Sequence, residues 1–211
     1  MLYAGAFRDD PVITYMLCNL TTENKNDYLE TYFKRLLAAA GLNGGIFEEA
    51  DDFSSAQVVV PPGKKVDNPW TIIPAGGLSV LFKLGWKGGQ RMLIEYTGLT
   101  EAAKKKGLKG QKKFYYLFFI ATRVDCQGRG LSSALIKKVQ ERAAAEGLPV
   151  WLESTTPKSH KIYEKLGFET IEKIILGKGV AGSDGKKMKN GEGVPIWAMV
   201  WWPPHLKKAD T

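Results

Sequence analysis

The feature that most limits the fold of this chain is the run Gln127-Gly128-Arg129-Gly130-Leu131-Ser132, set between two apolar segments. Tyr116 to Thr122 is rich in aromatic and branched residues and reads as a strand. From near Gly130 to residue 146, Leu131, Leu135, Val139 and Ala143 form one stripe, with Lys137, Lys138, Glu141 and Arg142 facing away, so this segment reads as a helix. A glycine-bearing turn from strand to helix is a phosphate cradle. Glycine lets the backbone approach a ligand closely, and the unpaired amides of the first helical turn carry roughly half a positive charge. The turn lacks the Lys-Ser or Lys-Thr pair of a nucleotide P-loop, and Ser133 follows where a dinucleotide fingerprint needs a further glycine. An ordinary tight connection is the competing reading of the turn alone.

The next residues add a second pattern. Gly147 and Pro149 end the helix, Val150 to Thr155 reads as a short buried strand, and Thr156-Pro157 reads as an N-cap with proline at the first helical position. A helix then runs to Leu166, where Gly167 supplies a left-handed cap and Phe168 opens another strand. Residues 114 to 202 thereby resemble the GNAT superfamily of acyl-CoA N-acyltransferases. Gln127, Gly130 and Ser132 match that family's Gln/Arg-x-x-Gly-x-Gly/Ala turn with serine in the last place, and Tyr163 with Gly167-Phe168 matches its tyrosine helix. Leu152 to Pro157 is similar to the branch that includes puromycin N-acetyltransferase. Val124 stands where the family often has proline, and Thr156 where many members have asparagine; neither change, nor Ser132, removes a backbone amide.

The resemblance implies an α/β (α+β) fold: one domain over residues 1–211, with a central mixed, mostly antiparallel sheet splayed between strands at 114–122 and 149–155 and helices on both faces. Residues 1–113 would supply acceptor-side helices and a hairpin, 114–202 the acetyl-CoA-binding core and 203–211 a tail. The family's usual first strand is missing from the pattern, which would leave a sheet edge open. The resemblance also implies acetyl-CoA as cosubstrate and no metal. The main chain of Ile120, Ala121 and Thr122 would hold the pantetheine arm, and the amides of Gln127, Gly128, Arg129, Gly130, Leu131, Ser132 and Ser133 the pyrophosphate, with Thr156 and Ser159 as further cofactor contacts.

The chemistry follows from the acceptor's charge. An alkylammonium of pKa about 10.4 lies about 3.4 units above neutral pH, so deprotonating it costs roughly 4.6 kcal/mol and a base helps. Glu153, between apolar neighbours on the strand beside the wedge, is the candidate, acting through water or with a raised pKa; a structural role pinning backbone is the equal alternative. By the resemblance Tyr163, protonated at neutral pH, would give its proton to the departing thiolate. The expected acceptor is a small-molecule amine, with a protein or peptide acceptor as the alternative. A non-catalytic acyl-CoA-binding regulator and a basic nucleic-acid-binding protein are readings from other classes.

Composition narrows these. The 211 residues are 44% hydrophobic and 25% charged, enough for one core and too regular for disorder. Apolar runs are strand-sized, and Arg8, Asp9 and Asp10 interrupt the first segment, so a cytoplasmic protein with no membrane partner is expected. Cys18 and Cys126 read as free thiols, and His160 and His205 lack metal-ligand partners at useful spacing. The net charge of +8 gathers in lysine runs at 104–106, 109–113, 186–189 and 207–208. These read as solvated faces, or as attraction for an anionic ligand such as coenzyme A; without interleaved aromatics or a known motif, no nucleic-acid partner is expected.

The N-terminal half reads more coarsely. Helical spacing covers Ala6-Phe7, Val12 to Leu17 behind Asp10-Pro11, and residues 25–40, which Gly41 should stop; Asp9, Asp10, Tyr15, Tyr28 and Tyr32 could meet a cationic or aromatic acceptor or simply cap and pack. Ile46 to Glu49 and Ala56 to Val60 read as a hairpin across Asp51-Asp52. Residues 70–106 fit two irregular helices separated by Gly85 to Gly89, a plausible cover for the pocket. Between strands at 168–176 and 195–202, the Gly/Lys-rich segment 177–194 exceeds a hairpin loop and reads as a functional flap or a flexible loop.

Overall fold

Period-two alternation sorts the apolar residues of the strands onto two faces, and each face needs its own helical cover. The computed structural model describes residues 1–66 and 68–207 and shows how both are met. One six-stranded sheet, ordered β1-β2-β3-β4-β6-β5, is built from β1 (Ile46–Ala50), β2 (Ser55–Val60), β3 (Tyr115–Thr122), β4 (Val150–Ser154), β5 (Glu169–Leu176) and β6 (Val194–Trp201). Every neighbouring pair is antiparallel except β3 with β4. The hairpin strand β1 forms one edge of the sheet and β5 the other.

Tyr115, Leu117, Val150, Leu152 and Met199 share one face, covered by Ile136, Val139 and Ala143 of the helix Leu131–Glu146. Their alternates Trp151, Ala198 and Val200 meet Val12 and Met16 of the helix Pro11–Met16 and Ala103 of the helix Thr97–Gly107. Nearer the hairpin, Val58 and Ala121 pack with Leu29 and Phe33 of the helix Thr22–Leu42. Leu135 and Val139 are fully buried, each contributing on the order of 2 kcal/mol.

In chain order the helices are α1 (Leu2–Ala6), α2 (Pro11–Met16), α3 (Thr22–Leu42), α4 (Pro69–Ile72), α5 (Gly77–Gly89), α6 (Thr97–Gly107), α7 (Leu131–Glu146), α8 (Pro157–Lys165) and α9 (Pro204–Lys207). Lys208, half of the expected Lys207-Lys208 pair, and the last residues of the tail lie outside the described residues.

Three expectations for the loops and helix ends need correcting. Gly41 does not stop α3, which runs on to Leu42 and ends where Gly44 takes φ 75°. The break expected over Gly85 to Gly89 shrinks to Gly85 alone, whose φ of 65° and ψ of −179° kink α5. Gly88 stays helical against Leu84, where an added Cβ would come within 2.4 Å of that side chain, and the ladder continues through a π-helical turn, Gln90–Tyr96, into α6. The segment after β5 is neither flap nor loose loop. It folds back on itself through Gly182 N to Lys186 O (2.9 Å), Met188 N to Val180 O (3.0 Å) and Gly193 N to Ala181 O (2.8 Å). It is also fixed from outside: Glu95 of the π turn accepts from Gly177 N and from Tyr15 Oη, each at 2.6 Å.

Candidate active site

The parallel pair β3–β4 is matched at two positions only, Tyr115 with Val150 and Tyr116 with Trp151. Beyond them β3 stays paired to β2 as far as Thr122, and β4 stays paired to β6 as far as Ser154, so the two strands part. The wedge bares main-chain groups of β3 from Leu117 onward along the side facing β4, and a cavity of about 360 Å³ occupies it. Ile120, Ala121 and Thr122 line this cavity; the Thr122 hydroxyl is 2.9 Å from Ser55 Oγ.

At one end lies the glycine turn. Gly128 and Gly130 take φ 82° and 77°, the left-handed region, and an added Cβ at either would meet nothing within 4 Å, so the surface in front of them is open. No side chain caps α7, and the hydrogen bonds of the described residues leave the amides of Gly128 through Ser133 without an acceptor. Six consecutive amides at the N-terminus of a 16-residue helix, four of them from residues that line the cavity, suit the diphosphate of a coenzyme A. Gln127, Gly128, Gly130, Leu131 and Ser132 line the cavity; Ser133 does not, and the Arg129 side chain turns aside to pair with Asp51 at 2.8 Å. Thr156 and Ser159 also line it, although their side chains form a capping box for α8. Sequence reasoning missed Lys158, which stands at this end with Nζ 2.6 Å from Gln127 Oε1.

Glu153 and Tyr163 come to the same cavity. Both oxygens of Glu153 accept hydrogen bonds, from Tyr116 Oη at 2.7 Å and from Trp151 Nε1 at 2.6 Å. Register explains the pair: Tyr116 lies opposite Trp151, and Glu153 follows two residues later on the same face. Burial first, then the Glu153 carboxylate, push the Tyr116 phenol well above its ordinary range; the same two causes act on Tyr96, which reaches Tyr116 from the π turn. Tyr163 is 7% exposed and packs edge-on against Phe168 at 5.7 Å. Burial raises its pKa, so it holds its proton at neutral pH.

Beyond Glu153 the cavity ends among Phe7, Ile13, Met16, Tyr32, Met92 and Tyr96, with one further carboxylate, Asp10. Asp10 Oδ1 caps α2 by accepting from Val12 N (2.9 Å) and Ile13 N (3.0 Å), and its Oδ2 accepts from Thr155 Oγ1. Burial raises its pKa, against the lowering effects of these bonds and of Lys25. Of the other N-terminal candidates, Tyr32 lines the cavity, Asp9 is exposed, and Tyr15 is spent on Glu95. His160 stacks on Trp197 at 4.8 Å and does not line the cavity.

Comparison with known proteins agrees with this geometry. The profile of the Acetyltransferase (GNAT) family matches residues 53–168, more than half of the chain. The match is to the family as a whole, not to the branch that Leu152 to Pro157 resembles. An uncharacterised N-acetyltransferase of Schizosaccharomyces pombe is 28% identical over 206 residues, 97% of this chain and 78% of the relative. Among solved structures, Drosophila melanogaster polyamine N-acetyltransferase superposes with a TM-score of 0.61 at 13% identity, covering 95% of this chain and 91% of the other. A mosquito arylalkylamine N-acetyltransferase-like protein gives 0.54 at 18% identity, covering 90% and 86%. At such identities these two speak for the fold.

Proposed function

The chain belongs to the Acetyltransferase (GNAT) family and is an acyltransferase, and from that premise we propose that it moves an acetyl group from acetyl-CoA to the primary amine of a small molecule, by direct attack in a ternary complex. One observation carries the reading: a single cavity runs from the bare amides of the glycine turn, through the β3–β4 wedge, to two carboxylates set among aromatic side chains. Acetyl-CoA supplies the activated acyl group. The amides of residues 128–133 and Lys158 bind its phosphates, and the main chain of Ile120 to Thr122 receives its arm and polarises the acetyl carbonyl.

At the other end Asp10 and Glu153 attract the ammonium, while Phe7, Tyr32, Met92 and Tyr96 take an apolar or aromatic body. Glu153 accepts the proton that makes the amine nucleophilic, directly or through Tyr116, whose hydroxyl already donates to it. Tyr163 gives its proton to the sulfur as the thiolate departs. The small-molecule reading is supported by structural neighbours named as a polyamine N-acetyltransferase and an arylalkylamine N-acetyltransferase-like protein. The test is release of free thiol from acetyl-CoA against a panel of arylalkylamines, diamines and N-terminal peptides. Turnover with the first two supports the proposal; turnover with peptides alone, or cofactor binding without thiol release, overturns it.

A further inference from the structure

Between β2 and β3 the chain carries the helices α4 to α6, and the outward side of α4 and α5 is rich in apolar residues. Trp70 is 88% exposed, Phe82 85% and Trp86 80%. On α5 the row Val80, Leu84 and Gly88 is buried, while Leu78, Phe82 and Trp86 repeat every four residues on the side that is not. Exposed Ile73, Leu93 and Ile94 extend the apolar surface on either side. The charge accompanying it has one sign. Between Asp67 and Glu95 the chain has no Asp or Glu; exposed Lys83 and Lys87 stand among these rings and exposed Lys64 and Lys65 come shortly before, whereas Arg91 turns inward over the Tyr15 ring at 5.4 Å. Exposed indole and phenyl rings beside lysines are the make-up of a segment that lies in a membrane interface, rings at the acyl boundary and ammonium groups on lipid phosphates.

We propose that α4 and α5 dock this protein on the surface of an anionic lipid bilayer. Among the described residues no helix is long and apolar enough to cross a membrane, so the contact is peripheral, a partner that composition alone did not suggest. A second copy of the chain fits this face less well, because a two-fold interface would set Lys83 and Lys87 near their own counterparts with no carboxylate on the segment to answer them. The same insertion reaches the acceptor end of the cavity through Met92 and Tyr96, so docking brings that end close to the bilayer. Such docking requires neither cosubstrate nor acetyl transfer.

The experiment is sedimentation of the full chain with vesicles of phosphatidylcholine alone or with phosphatidylserine added. Co-sedimentation with the anionic vesicles at about 0.1 M salt, weakened as salt is raised, is expected. Trp86→Ser and Phe82→Ser should each lower partitioning by about tenfold. Lys83→Glu with Lys87→Glu, a change confined to exposed side chains, should abolish the preference for anionic lipid while leaving the unfolding temperature unchanged. Wild-type protein left in the supernatant at excess anionic lipid overturns the proposal. So does unaltered sedimentation of the variants, or a solution dimer that Trp86→Ser dissociates without any vesicle binding.

Discussion

Tyr163 and Glu153 face one cavity under different constraints. The Tyr163 hydroxyl has no hydrogen-bond partner among the described residues, whereas both Glu153 oxygens are engaged. Replacing Tyr163 with phenylalanine keeps the ring that packs on Phe168 and removes only the proton. Turnover should fall by roughly 10²-fold while acetyl-CoA affinity, read by calorimetry, stays within about twofold; unchanged turnover would remove Tyr163 from the chemistry. Asp10 makes a prediction in pH. Its folded-state pKa is raised by burial, so between the unfolded and folded values the folded state binds more protons, and stability falls as pH rises through that window. Asparagine keeps an N-cap acceptor and carries no charge. Asp10→Asn should therefore gain stability relative to wild type as pH climbs above about 4, by urea unfolding, and should raise the KM for a cationic amine. A constant difference across that range would show that Asp10 is not strained by its charge.

At the scale of elements, the tight crossings decide which substitutions matter. Gly185 takes φ 81°, and an added Cβ would stand 2.1 Å from Pro11 O, where the 177–193 segment lies against α2. Gly185→Ala should cost about 2 kcal/mol or more in chemical unfolding, because both the conformation and the space exclude a methyl group; a loss below about 0.5 kcal/mol would mean that the segment does not pack as described. This segment also marks the limit of what the sequence revealed. The strand–turn–helix at 116–146 and the capped helix after Thr156 were legible because glycine, proline and the N-cap residues have local causes. The anchoring of 177–193 was not, since Glu95, more than 80 residues earlier, supplies it. In the site, Tyr163, Glu153 and the turn amides were named from local pattern and its resemblance. Tyr116 could have been found by pairing the two strands, which places it beside Glu153. Tyr96 had no signal at all, because a change of helical pitch aims it.

For the whole molecule the wedge joins the two halves of the sheet at only two residue pairs, with helices above and below supplying the rest of the connection. A ligand filling it and binding only the folded state adds to global stability. Acetyl-CoA at about 100 times its dissociation constant should contribute about 2.7 kcal/mol, which for a chain of this size corresponds to roughly 5–10 °C in Tm. Absence of any shift at saturating cosubstrate would contradict binding there.

The π turn at Gln90–Tyr96 has a consequence for how such a chain could diversify. One residue more than an ordinary α-helix advances the phase of everything after it by roughly 100°. With that extra residue, Met92 and Tyr96 look into the cavity while Glu95 holds the 177–193 segment. Deleting a single codon would swing the downstream side chains round the axis, exchanging the groups that greet an incoming amine while leaving the sheet untouched. Acceptor choice and cosubstrate grip can thus drift independently, because the first depends on helical phase and the second on a turn in another part of the chain.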